Sequence, residues 1–107
     1  MHIRKRFNVA IIGHRGFKSK YPENTLLSFS KAIEVGADAV EFDVHSSSDG
    51  VVVVCHDGST RRTGSAAMII HQTPFDQLRT LDMGQGEKIP TLQEVIDLCK
   101  GKVNMIS

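Results

Sequence analysis

Hydrophobic positions in this chain follow two periodicities that alternate along its length. Val9 to Gly13 is an unbroken apolar run closed by glycine, the pattern of a strand buried on both faces of a parallel sheet. After a polar loop, Leu26, Phe29 and Ile33 fall on one helical stripe with Leu27 and Ala32 beside them. This predicts a helix from Thr25 to Val35 with Gly36 as its C-terminal cap. Ala39 to Val44 predicts the next strand, and Asp49-Gly50 a tight turn into Val51 to Cys55. A parallel neighbour would need a crossover of a dozen or more residues. Val51 to Cys55 is therefore expected to return antiparallel on Ala39 to Val44. With Asp49 and Gly50 as the two turn residues, partner numbers add to 99 and His56 lies opposite Asp43.

Downstream, residues 57–73 are rich in Gly, Ser, Thr and Arg and read as a loop excursion. Thr73-Pro74 opens a short helix over Phe75 to Leu81, with proline at its first position. A glycine-containing loop, Met83 to Lys88, precedes a second long helix. Thr91 and Glu94 stand at capping-box spacing there, ahead of the stripe Leu92, Val95, Ile96 and Cys99. Val103 to Ile106 starts another strand. Strand starts near 9, 39 and 103 describe repeating β/α units, the second lengthened by an excursion over about residues 58–88. The fold class is α/β, either an open parallel sheet or a (β/α)₈ barrel. A complete barrel takes ~250 residues, so these 107 residues are expected to be the N-terminal part of one larger domain.

Composition narrows the classes. Thirteen Lys and Arg against twelve Asp and Glu give a net charge of +1, with no basic excess for nucleic acid or an anionic membrane surface. The short basic start, Arg4-Lys5-Arg6, is not followed by the apolar stretch of a secretory signal, which makes cytoplasm the default expectation. No apolar run approaches the ~20 residues of a membrane span. Cys55 and Cys99 lie in apolar segments without CxxC spacing and are expected to be buried, reduced thiols.

Three segments carry chemistry. Glu41 and Asp43 are two apart on a strand, so both carboxylates take one face while Val40, Phe42 and Val44 take the other. Paired like charges need a compensating cation, and oxygen-only donors favour a hard ion, Mg²⁺ or Ca²⁺. His14-Arg15-Gly16 follows the first strand directly, at the carboxyl-end rim where parallel β/α folds place their sites. There an imidazole exchanges protons near neutral pH, and a guanidinium holds phosphate oxygens. His56-Asp57 ends the returning strand. Together they are the parts a phosphodiester cleavage requires: charge neutralisation, a base and an acid.

In order and spacing, His14-Arg15-Gly16, Pro22-Glu23-Asn24-Thr25, Gly36-Ala37-Asp38, Glu41-Phe42-Asp43-Val44, Asp49-Gly50 and His56-Asp57 resemble the glycerophosphodiester phosphodiesterase family, as does Ile89-Pro90-Thr91-Leu92-Gln93-Glu94-Val95. The resemblance implies a TIM-type barrel with a small insertion after the second strand, here residues 58–88. It also implies hydrolysis of glycerophosphodiesters to glycerol 3-phosphate and an alcohol. On the matching positions it makes His14 and His56 the acid/base pair, Arg15 the phosphate contact, and Glu41 and Asp43 the ligands of one divalent cation. Glu23 and Asn24 match the pattern as rim scaffold or as ligands, and Asp57 as a partner that steadies the turn or orients His56. His45, His71 and the terminal His2 have no place in it. Arg61 and Arg62 read as a solvated loop or as a contact for an anionic head group, and Met68 to Ile70 as packing or a lipid-facing patch.

The family's third metal-binding carboxylate closes the third core strand, whereas Val103 to Ser107 holds no acidic residue. The 107 residues alone are thus expected to have little activity and to associate through an open sheet edge. Two other readings remain open on the sequence: a phospholipase-type barrel acting on lysophospholipid, and a non-catalytic interaction module.

Overall fold

The structure is a computed structural model that describes residues 11–107. The start of the predicted first strand, Val9-Ala10, lies outside the described residues, as do His2 and the basic start. Strand β1 spans Ile12–His14, helix α1 Leu26–Glu34, β2 Ala39–Glu41, β3 Val44–Ser46 and β4 Val52–Val54. A 3₁₀ turn at Ile70–Gln72, α2 at Phe75–Leu78, α3 at Leu92–Cys99 and β5 at Asn104–Ile106 complete the order. β1, β2 and β5 form one parallel sheet in that order, and β3 and β4 form a separate antiparallel ribbon. Both long helices are capped as their sequences specify. Thr25 accepts from Ser28 N–H, and Thr91 and Glu94 make a complete capping box.

Four predicted features are corrected. Ala39 to Val44 is not one strand, because the chain changes partners at Phe42-Asp43. Phe42 N–H still donates to Ile106 O on the parallel sheet, whereas Asp43 O already accepts from Cys55 N–H on the ribbon. The hairpin register also differs, since Val44 pairs with Val54 and Ser46 with Val52, numbers that add to 98 rather than 99. A two-residue type I′ turn needs positive φ at both central residues. Only Gly50, at φ +84°, has it. Asp49 instead accepts from Phe75 N–H at 3.0 Å, and the loop takes three residues, closed by Ser47 N–H on Val51 O. Cys55, not His56, therefore stands across from Asp43. Pro74 is the cap preceding α2 rather than its first residue, and past Leu78 the predicted helix gives way to tighter turns, Thr80 N–H on Gln77 O and Leu81 N–H on Leu78 O.

Among the described residues, packing divides into two apolar clusters. Phe29 and Ala32 of α1 meet Val40, Phe42, Val54, Val95 and Cys99 beneath the parallel sheet, with Phe29 and Phe42 edge to face at 5.8 Å. The excursion contributes the second cluster, in which Ile70, Leu78, Leu81, Met83 and Ile89 cover Val53 and Cys55. Of the predicted apolar patch, Ile70 is fully buried while Ile69 is 49% exposed. Both cysteines are free and buried, and burial raises both thiol pKa values.

Polar ties fasten the excursion to the long helices. Glu87 Oε1 accepts from Leu27 N–H in the first turn of α1, where a carboxylate suits the helix dipole. Arg79 grips both oxygens of Glu94, at 2.6 and 2.7 Å, and this guanidinium holds the Glu94 pKa at about 2. A depressed carboxylate pKa contributes stability that is present above the ordinary 4.5 and is lost as pH falls toward 2. Glu94→Gln should therefore lower the urea midpoint at pH 7, with the gap from wild type closing between pH 4.5 and 2. A gap independent of pH would remove the ion pair from the account.

Candidate active site

The rim is built at the carboxyl ends of β1 and β2. His14 is the last residue of β1 and lies in register with Glu41, the last of β2. Arg15 N–H donates to Glu41 O at 2.7 Å, which locks the two strand ends together. The turn that follows is left-handed at Arg15 (φ 54°) and Gly16 (φ 83°), and again at Asn24 (φ 55°). Asn24 N–H closes this loop on Arg15 O, and Ser28 Oγ of α1 accepts from Phe17 N–H at 2.6 Å. The histidine and arginine thus project from a backbone pinned at both ends.

Of the sequence-predicted residues, the structure brings His14 to Glu41 and His56 to Asp43. His14 Nδ1 lies 3.1 Å from Glu41 Oε1, and His56 Nε2 lies 4.0 Å from Asp43 Oδ2. His56 reaches Asp43 despite the shifted register because it follows Cys55 immediately at the ribbon's end. Arg15 pairs with Glu23 at 3.4 Å, a loose contact, and its Nε is buried without a hydrogen-bond acceptor.

Carboxylates set the orientation of both imidazoles. His56 Nδ1 is 2.8 Å from Asp57 Oδ1, and Asp57 has its pKa lowered to about 2 by Arg62 first and then by His56. An ionised carboxylate only accepts, so His56 Nδ1 carries the proton and its Nε2 turns toward Asp43. Arg62 donates through Nε to Asp57 at 2.9 Å and through both Nη atoms to Glu23 at 2.9 and 2.8 Å. That clamp lowers the Glu23 pKa and raises that of Arg62. Sequence reasoning missed it: Arg62 and Glu23 are 39 positions apart, and no local pattern says which carboxylate a loop arginine will meet. His45, on β3, donates from Nε2 to His56 O at 3.1 Å. With His71, Ser46, Gly58 and Ile69 it lines a cavity of about 330 Å³.

Glu41 Oε1 and Asp43 Oδ2 are buried, and beyond the His14 and His56 ring nitrogens at 3.1 and 4.0 Å neither accepts a well-formed hydrogen bond. A buried carboxylate oxygen so poorly supplied with donors is costly, and a hard cation with oxygen preference relieves that cost. The donor set fits the expected Mg²⁺ or Ca²⁺ in chemistry, although no group of three or more ligating side chains assembles among the described residues.

Residues 14–107 match the family model described as the glycerophosphoryl diester phosphodiesterase family. The chain belongs to that family. It is 38% identical over 99 residues to a glycerophosphodiester phosphodiesterase of Caldanaerobacter subterraneus, covering 86% of this chain and 41% of that protein. Among solved structures, the glycerophosphodiester phosphodiesterase of Thermotoga maritima is 40% identical, with a TM-score of 0.83 over 94% of this chain and 43% of its own. A phosphodiesterase of Oleispira antarctica, solved with the product sn-glycerol-3-phosphate, is 37% identical with a TM-score of 0.86, over 91% of this chain and 42% of its own. The chain thus spans about two fifths of the length of these family members. Its sheet of β1, β2 and β5, with α1 and α3 against it, is part of the family's TIM-type barrel.

Proposed function

We propose that this chain supplies the first catalytic segments of a metal-dependent glycerophosphodiester phosphodiesterase, which releases glycerol 3-phosphate and an alcohol. The observation that carries this reading is the convergence of two imidazole–carboxylate pairs on one rim, His14 with Glu41 and His56 with Asp43. Each is held from the family's own motif positions. Kinship to an enzyme solved with glycerol 3-phosphate supports the same chemical class.

In this mechanism one histidine takes the proton from the attacking oxygen, water or the substrate's own glycerol hydroxyl. The other protonates the departing alcohol oxygen. His56 is built for the basic role, because Asp57 fixes the proton on Nδ1 and leaves Nε2 to accept. Arg15 binds the phosphate through its guanidinium, whose contact with Glu23 at 3.4 Å is loose enough to be exchanged for a phosphate oxygen. Glu41 and Asp43 would hold the divalent cation, which when bound supplies charge neutralisation at the phosphate.

The test is an assay of the full-length protein on glycerophosphocholine, glycerophosphoethanolamine, glycerophosphoinositol and lysophospholipids in parallel, following glycerol 3-phosphate, before and after chelation. Soluble diesters should be cleaved, with activity lost to chelator and restored by Mg²⁺ or Ca²⁺. Turnover of lysophospholipids alone would overturn the substrate class, and chelator-resistant turnover would overturn the metal.

A further inference from the structure

Arg62 belongs to none of the motifs that carry the family resemblance, yet it makes four hydrogen bonds to two carboxylates of the rim. Its Nε donates to Asp57 Oδ2 at 2.9 Å, Nη1 to Glu23 Oε1 at 2.9 Å, and Nη2 to Glu23 Oε2 at 2.8 Å and Asp57 Oδ1 at 3.4 Å. Four contacts leave a guanidinium with five N–H donors little to offer a ligand. Its two acceptors lead to two candidate site residues. Asp57 receives the His56 Nδ1 proton at 2.8 Å, and Glu23 faces Arg15 Nη1 at 3.4 Å.

We infer that Arg62 is a positioning residue that joins the two halves of the site, fixing the His56 tautomer through Asp57 and the Arg15 guanidinium through Glu23. The inference rests on the functional reading above for its catalytic consequence, though not for its geometry. Isolated surface ion pairs contribute little, and the Arg62 side chain is 48% exposed. This one differs because both guanidinium edges are engaged in fork geometry and Glu23 is itself only 14% exposed. Without Arg62, Asp57 loses the partner that fixes its carboxylate plane. His56 is then free to place its proton on either nitrogen. Glu23 would be free to draw Arg15 into a tighter pair, away from the phosphate. Lysine cannot replace the clamp, because a point charge does not bridge two carboxylates in a fork.

The experiment compares the full-length protein with Arg62→Ala and Arg62→Lys, using ¹⁵N imidazole spectra of His56 and steady-state kinetics on glycerophosphocholine. Wild type should show His56 protonated at Nδ1, and Arg62→Ala a mixture of tautomers. The Arg62→Ala kcat should fall by roughly 10- to 100-fold, as for a small misplacement of catalytic groups, and KM should rise with it as Arg15 is drawn from the phosphate. Methylguanidinium added to Arg62→Ala should restore part of kcat, which a fold defect would not permit, and Arg62→Lys should recover less than half of the loss. An unchanged tautomer in either variant, or a raised KM at constant kcat, would overturn the inference, the latter making Arg62 a substrate contact. Should wild type not cleave the diester, the functional reading falls, while the tautomer comparison still decides the role of Arg62. If Arg62→Ala does not fold, the spectra of Arg62→Lys carry the same decision.

Discussion

Alanine at His14 or at His56 should lower kcat of the full-length protein by roughly 10²- to 10⁴-fold, the usual contribution of a positioned acid or base. The two losses should not add, because both groups serve one proton-transfer sequence and removing either leaves the other without its counterpart. KM should change little, since neither imidazole is the main anchor for the phosphate. Their surroundings make a structural explanation easy to separate. His14 and His56 side chains are 32% and 41% exposed, and neither belongs to the apolar clusters, so melting temperatures should stay near wild type. Turnover within a few-fold of wild type, at an unchanged melting temperature, would remove that histidine from the mechanism.

Gly16→Ala is the substitution expected to cost the fold most. Gly16 has φ +83°, a conformation most side chains adopt only under strain. A Cβ there would also lie 2.9 Å from the carbonyl carbon and from Cβ of Ser28 on α1. The obstruction is partly backbone, so no rotamer change relieves it, and helix and turn must part. Strain and overpacking together should cost roughly 2–5 kcal/mol, read as a lower urea midpoint. Parting them breaks the Phe17 N–H bond to Ser28 Oγ, 2.6 Å in the native turn, and lets the backbone beneath His14 and Arg15 drift. Activity should therefore fall along with stability. A variant as stable as wild type would mean the turn relaxes in a way its present contacts do not indicate.

Much of this was legible in the sequence because it is local. The cap at Thr91 lies within one helical turn of the group it binds. The parallel β1–β2 pairing follows from apolar runs separated by one helix. What escaped depends on distant partners. Asp49-Gly50 resembles a two-residue turn until Phe75 N–H claims the Asp49 side chain, and that bond comes from 26 positions away. The break at Phe42-Asp43 follows from Ile106 and Cys55 competing for adjacent residues, a conflict that the smooth alternation of 39–44 conceals. For the site, the structure pairs His14 with Glu41 and His56 with Asp43, and sets Arg15 against Glu23. The Arg62 clamp that connects them is a long-range charge pairing with no periodic signature.

Val53 and Val54 sit back to back on β4, one in each apolar cluster, and each is at most 1% exposed. The strand acts as a party wall. Any change of volume on one side presses on the other, so the barrel body and the 58–88 excursion are not free to drift apart over evolutionary time. Latitude for divergence is confined to positions such as Gln72, Asp76 and Gln77, which face solvent. Related proteins that differ in the chemistry of their excursion should therefore differ at such outward positions first, and change the wall only through paired, compensating substitutions.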